Sequence, residues 1–178
     1  MMWSLLTKHC FLRDYGDEDR EAFIKLNTHA SARDHMGGAL SEPEAEKLFR
    51  STLQDTDPRQ GLRWAVFERK SNEYLGHIFF IPWESKFEME MGIIMQPDHT
   101  GKGLEEELGL ACLEHLFEEK PVQKVISTVG VEHASCIKLL KTLGMECVER
   151  CQDDSGYYYV YELTNKRFGN RSLALQAS

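Results

Sequence analysis

Asp98-His99-Thr100-Gly101-Lys102-Gly103 lies between an apolar run that ends at Met95 and a helical run that opens at Leu104. Two glycines one residue apart let the backbone take positive φ with no Cβ in the way, so successive N–H groups can converge on the oxygens of an anion. A helix N-terminus directly behind them adds unpaired N–H groups and the positive end of its dipole. The stretch is either a phosphate-binding turn or an ordinary tight turn, and its flanks decide between the two.

On the N-terminal side, Leu62 to Arg69, Tyr74 to Pro82 and Lys86 to Met95 read as strands. The short links at Ser71-Asn72 and Trp83-Glu84-Ser85 make them antiparallel neighbours. In the third, Phe87, Met89, Met91, Ile93 and Met95 alternate with Glu88, Glu90, Gly92 and Ile94, which puts both carboxylates on one face. On the C-terminal side, Leu104 to Glu118 is a helix with a wide apolar face, built on Leu104, Leu108, Ala111 and Cys112. Val125 to Val131 follows as a strand. Because a whole helix separates it from the strand ending at Met95, the two are expected to be parallel and joined by a right-handed crossover.

A helix from Ala134 to Leu143 stops at Gly144, and a hairpin of Met145 to Arg150 with Tyr157 to Leu163 closes the chain around Asp153-Asp154-Ser155-Gly156. Near the start, a strand is expected over His9 to Arg13 and a helix over Glu18 to Asn27. Thr28 to Leu40 has no period and reads as loop with short helical pieces. Ser41 with Glu44 three residues on forms a capping box for a helix running to Gln54. The expected fold is mixed α/β (α+β): a mostly antiparallel central sheet, one parallel pair and flanking helices. Residues 1–165 read as a single domain, and 166–178 as a polar, poorly ordered tail.

With 178 residues, the chain is long enough to build a core without disulfide or metal support. The formal net charge of -8 disfavours a nucleic-acid partner and mildly favours cationic ones. Five cysteines without a C-x-x-C pair fit a reduced, cytoplasmic chain, and seven scattered histidines imply no metal. Lys8 and His9 interrupt the apolar N-terminal residues, and no uncharged apolar run approaches about 18 residues, so neither a signal peptide nor a membrane span is expected.

The order of elements, together with Leu12-Arg13 and Asp19, Glu90-Met91-Gly92-Ile93-Ile94 leading to Gly101-Lys102-Gly103-Leu104, and Ser135 with Leu139 to Met145, resembles the GNAT superfamily of acyl-CoA-dependent N-acetyltransferases. The likeness covers roughly residues 5–163 and is greatest to the branch of the RimJ and RimL ribosomal-protein acetyltransferases. It implies that acetyl-CoA is a cosubstrate, lying where the strand ending at Met95 splays from Val125–Val131, with its pyrophosphate on the Asp98–Leu104 loop. The cofactor-binding residues so implied are Ile93, Ile94, Met95, His99, Thr100, Gly101, Lys102, Gly103, Leu104 and Ser135. A homodimer is an implication of the resemblance alone. Three departures from the family pattern involve four residues. Asp98 stands where Gln or Arg usually opens the loop, Glu105 and Glu106 replace small or hydroxyl residues, and Glu132 takes the place of an Asn three residues before the Ser.

Acetyl transfer to an amine needs a neutral nucleophile, polarisation of the thioester carbonyl and a proton for the departing thiolate. The oxyanion is assigned to a backbone N–H at Ile94 or Met95. Glu90 and Glu88 are candidate bases on one strand face, against the alternative that both are solvated strand positions. His77 is a further base candidate, although a strand histidine is more often structural. From the resemblance, Ser135 is the proton donor or hydrogen-bond partner of the CoA sulfur; read alone, it is a helix-cap serine. Tyr157 to Tyr159 offer a phenol for the same task, or sheet packing. Lys102 faces solvent or a CoA phosphate. The expected activity is direct acetyl transfer to a primary amine, either a protein N-terminus or a small molecule, in a ternary complex. The alternative is a catalytically silent CoA-binding or protein-interaction module that keeps the fold.

Overall fold

The strands Glu88–Met95 and Lys124–Gly130 part company because each follows a different neighbour. The computed structural model describes residues 4–54 and 61–177, with the backbone alone for 4 and 171–176. Eight strands form one sheet in the order β1-β2-β3-β4-β5-β6-β8-β7: β1 Ser4–Leu6, β2 Cys10–Asp14, β3 Leu62–Glu68, β4 Tyr74–Pro82, β5 Glu88–Met95, β6 Lys124–Gly130, β7 Glu146–Asp153 and β8 Gly156–Thr164. All pairs are antiparallel except β5 with β6, which run parallel as the intervening helix requires. β4 holds β5 along its length, from Pro82↔Met89 to Gly76↔Met95. β8 holds β6 from Lys124↔Thr164 to Gly130↔Tyr158. Each strand follows its antiparallel partner, and the two diverge beyond their first few residues.

Helices cover both faces. α1 Arg20–Asn27 and α2 Glu42–Gln54 pack on one side, where Phe23, Leu26 and Phe49 meet Ala65, Phe67, Tyr74 and Ile94 of the sheet. α3 Leu104–Glu119 and α4 Ala134–Thr142 pack on the other, where Leu108, Cys112, Leu113, Leu116 and Leu140 meet Met89, Met91, Ile93, Met95, Val125 and Val129. The alternation along β5 produces this division, since odd positions point to α3 and even ones to α1 and α2. Arg13 forms two bonds to the buried Asp19, at 2.6 and 2.9 Å, and fixes the end of β2 to the start of α1. The Ser41–Glu44 capping box opens α2, with the Ser41 N–H donating to Glu44 at 2.7 Å.

Two elements were not read from the sequence. β1 is three residues long, too short to show a period. The tail continues from β8 as α5 Asn165–Gln176, where Asn165 donates to the Phe117 carbonyl at 3.3 Å and the Phe168 ring packs on Phe117. Residues 1–3 of the N-terminal segment lie outside the described residues. Among the described residues, no helix is long and apolar enough to cross a membrane, and no group of three or more His, Cys, Asp or Glu is placed to hold a metal ion.

Candidate active site

The parallel ladder consists of Glu88↔Lys124, Met89↔Val125 and Glu90↔Ile126, and then stops. Gln96 N–H donates to the Leu75 carbonyl at 2.7 Å. Hydrogen-bonded positions alternate along an antiparallel pair, so Ile94 and Gly92 spend their backbone groups on β4 while those of Met91, Ile93 and Met95 point into the gap beside β6. Ser127 Oγ closes the inner end by donating to the Met91 carbonyl at 2.9 Å. The expectation for Ile94 is therefore corrected: its N–H belongs to the β4 ladder, and the strand offers Ile93 and Met95 as donors.

A cavity of roughly 600 Å³ occupies this wedge. Ile93 and Met95 of β5, Thr100, Gly101 and Gly103 of the turn, Glu105 and Glu106 of α3, and Ser135, Cys136, Lys138 and Leu139 of α4 line it on one side. Asp34 and His35 from the α1–α2 loop reach it from the other, with His133 at the mouth of α4. Gly101 and Gly103 take φ of 73° and 81°. A Cβ at either would meet nothing within 4 Å, so the glycines serve backbone conformation, with no packing demand. Gly103 is the N-cap of α3 and has no side-chain cap; the first helical bond there is Glu107 N–H to the Gly103 carbonyl, at 3.2 Å. The donors ahead of it are free to meet an anion. The Gly101 N–H donates to Glu105 Oε1 at 3.4 Å, so a carboxylate already accepts from the turn.

Not every expected residue gathers here. His99, Lys102 and Leu104 line a second cavity of roughly 420 Å³ with His9, Glu68 and Glu107, on the far side of the α3 N-terminus. His99 Nε2 is 3.2 Å from Glu73 Oε1. Glu107 accepts bonds from the His9 backbone and ring, both at 2.7 Å, and so ties the β1–β2 turn to α3. Asp98 is exposed and does not line the wedge, and Glu132 is exposed and contacts His133 at 3.3 Å.

Glu88 is 3.0 Å from Lys124 Nζ, which also lies 3.6 Å from Glu162. Glu90 accepts a bond from Thr128 Oγ1 at 3.2 Å, and burial raises its pKa against the opposing effect of that bond. Both carboxylates sit on the α1–α2 side of the sheet. His77 is sealed in the core, its Nδ1 3.0 Å from the Tyr15 hydroxyl, which is itself 2.6 Å from the Tyr74 hydroxyl. Burial, reinforced by the charges of Arg63 and Arg33, pushes its pKa down to about 3, so it is a neutral structural group. Tyr159 packs against the core, and Tyr157 lies under the Arg150 guanidinium at 4.2 Å; neither lines the wedge.

Among the lining residues that the sequence reading did not assign to the site are His35, His133 and Lys138. His35 Nε2 lies 3.0 Å from the Ile93 carbonyl oxygen, inside the gap. It comes from a segment without periodicity, which left no signal to find it by. His133, two residues before Ser135, was within reach of the motif that singled out Ser135.

A family model for the acetyltransferase (GNAT) domain matches residues 9–146. An uncharacterized N-acetyltransferase of Bacillus subtilis, YnaD, is 22% identical over 168 residues, covering 89% of this chain and 96% of that protein. Among solved structures, a GNAT-family acetyltransferase from Bacillus anthracis superposes with a TM-score of 0.82 at 18% identity, covering 92% of this chain and 99% of that one. A spermidine N-acetyltransferase from Vibrio cholerae, in complex with CoA and spermine, gives 0.78 at 18% identity, with 90% and 98% covered.

Proposed function

Since the chain belongs to the GNAT acetyltransferase family and is an acyl-CoA-dependent transferase, we propose that it moves an acetyl group from acetyl-CoA directly to a primary amine, in a ternary complex and without an acyl-enzyme. The observation that carries this reading is the break in the β5–β6 ladder after Glu90, which leaves Ile93 and Met95 without a strand partner on that side, along a channel ending at Gly101 and Gly103. A pantetheine arm is a linear chain bearing amides, and it can lie beside β5 as an added strand does, with the pyrophosphate on the turn. The Ile93 or Met95 N–H then faces the thioester oxygen and stabilises the charge that develops on it.

The amine approaches from the α1–α2 side, where Glu90 attracts its ammonium form. After the ammonium has released one proton to solvent, its nitrogen lone pair bonds to the thioester carbon, the nitrogen gives up a second proton, the C–S bond breaks, and the sulfur takes a proton with Ser135 beside it on α4. Glu88, held by Lys124, anchors the closed end of the wedge. The acceptor is a protein N-terminus, as in the RimJ and RimL branch, or a small-molecule amine.

A second reading, a CoA-binding module without turnover, is favoured by one contact: Glu105 already occupies the Gly101 N–H. Calorimetry with acetyl-CoA, followed by thiol release in the presence of spermidine, kanamycin and a short peptide with a free N-terminal serine, separates the two. Binding with turnover of at least one amine is the expected result. Binding without any turnover supports the module, and no binding refutes both.

A further inference from the structure

Resting on the proposed acetyl transfer in this wedge, we infer that His35 is the general base of the reaction, accepting at Nδ1 the proton that the attacking nitrogen must lose. The position comes first. Ser127 closes the gap at the Met91 carbonyl, so Ile93 is the innermost residue whose backbone faces the cavity. An arm that starts at the glycine turn and runs inward along Met95 brings its reacting end there. His35 touches the Ile93 carbonyl at 3.0 Å and enters from the α1–α2 loop, the acceptor's side of the sheet.

The tautomer follows from the same bond. A carbonyl only accepts, so Nε2 carries the hydrogen and the neutral ring presents a lone pair at Nδ1. The Ile93 oxygen has two lone pairs, so the histidine and a pantetheine amide can share it. Burial holds the ring neutral below the ordinary histidine range. His133 and Arg33 push the same way, while the Ile93 bond and Asp34 oppose them; Glu105 and Glu106 of α3 and Lys138 of α4 line the same cavity. A proton taken up has a path out. The His133 ring centroid is 6.5 Å from that of His35, with Nδ1 3.9 Å from the Asp34 carboxylate and Nε2 3.3 Å from that of Glu132, and both carboxylates are exposed.

The step balances without a further reactant. As the nitrogen lone pair adds to the thioester carbon, the N–H proton passes to Nδ1. The C–S bond breaks, sulfur keeps the electron pair and takes a proton from Ser135, which regains one from solvent, and His35 returns its proton to solvent through His133. The competing groups are otherwise engaged: Glu88 with Lys124, and His77 within the sealed core.

The test compares His35→Ala, His35→Gln and Glu90→Gln in the full chain, using acetyl-CoA and whichever of spermidine, kanamycin or the N-terminal serine peptide the unmodified protein acetylates fastest. Gln keeps a donor for the Ile93 carbonyl and supplies no base, so a purely structural role predicts rescue by Gln. Both His35 variants are expected to lose about 100-fold in kcat, to keep the KM for acetyl-CoA within about twofold, and to lose the acidic limb of the pH–rate profile, which lies below pH ~6.5 because a depressed pKa keeps the base active until the pH falls under it. Added imidazole should restore part of the rate of His35→Ala. Glu90→Gln is expected to raise the acceptor KM and leave that limb in place. Full activity in His35→Gln, or an unchanged acidic limb in His35→Ala, overturns the inference while the transferase reading stands. Failure of the unmodified protein to acetylate any amine overturns both.

Discussion

The two halves of β5 share one alternation of residues and meet opposite fates. From Glu88 to Glu90 the strand is zipped to β6, with Lys124 bridging Glu88 and Glu162 across the closed end. From Met91 to Met95 the same backbone faces a gap, where a serine hydroxyl and a histidine ring take up single carbonyls. A buried backbone group without a partner costs on the order of 1–3 kcal/mol, so an open half persists only when side chains or a ligand replace the missing strand. The closed half fixes the angle of the wedge. The open half offers the donors and acceptors a linear ligand needs.

The comparison breaks most severely at the glycine turn. Gly103→Val places a β-branched residue at φ 81°, on the N-cap where the diphosphate is to approach. Acetyl-CoA affinity by calorimetry is expected to fall by at least about 100-fold, with a stability loss of about 1–2 kcal/mol from the left-handed conformation. Unchanged affinity would remove the anion site from the open half. Glu105→Gln sharpens the contrast in the other direction. With the charge beside the Gly101 N–H removed, acetyl-CoA should bind more tightly, by about threefold to tenfold at low salt, and the gain should shrink as salt is added. Weaker binding would mean that the carboxylate assists the cofactor. The smallest effect is expected at the closed end. Lys124→Met removes a partly exposed ion pair, so urea unfolding should show a loss of less than about 1 kcal/mol and calorimetry no change in acetyl-CoA affinity.

Most of the frame was legible from alternation and turn chemistry, because those signals are local. The strand Tyr74–Pro82 was bounded by Ser71-Asn72 and Trp83-Glu84-Ser85, and it forms between those same limits. The parallel pair followed from the helix between Met95 and Val125, a matter of connection length. The site was legible where it is built from backbone. Gly101 and Gly103 announce their φ values, and the odd position of Met95 turns its backbone groups toward the gap. The same parity argument, applied to hydrogen bonds as well as side chains, would have excluded Ile94 in favour of Ile93. What stayed hidden depends on the path of a loop. His35 reaches β5 from 58 positions away in sequence, through a segment whose only regular piece is a 3-10 turn at Asp34–Met36, and nothing in its neighbours' spacing marks it. His99 and Lys102 flank Gly101 and Gly103 in sequence, yet they line a neighbouring cavity and not the wedge, a difference that spacing alone does not show.

Amide hydrogen exchange of the full chain, followed residue by residue with and without CoA, tests most directly whether the open half is the binding edge. If the pantetheine arm replaces the missing strand, exchange slows at Ile93, Met95 and the Gly101–Gly103 turn, while Met89 and Glu90, already paired, keep their rates. Unchanged rates at Ile93 and Met95 in saturating CoA, with slowing elsewhere, would contradict it.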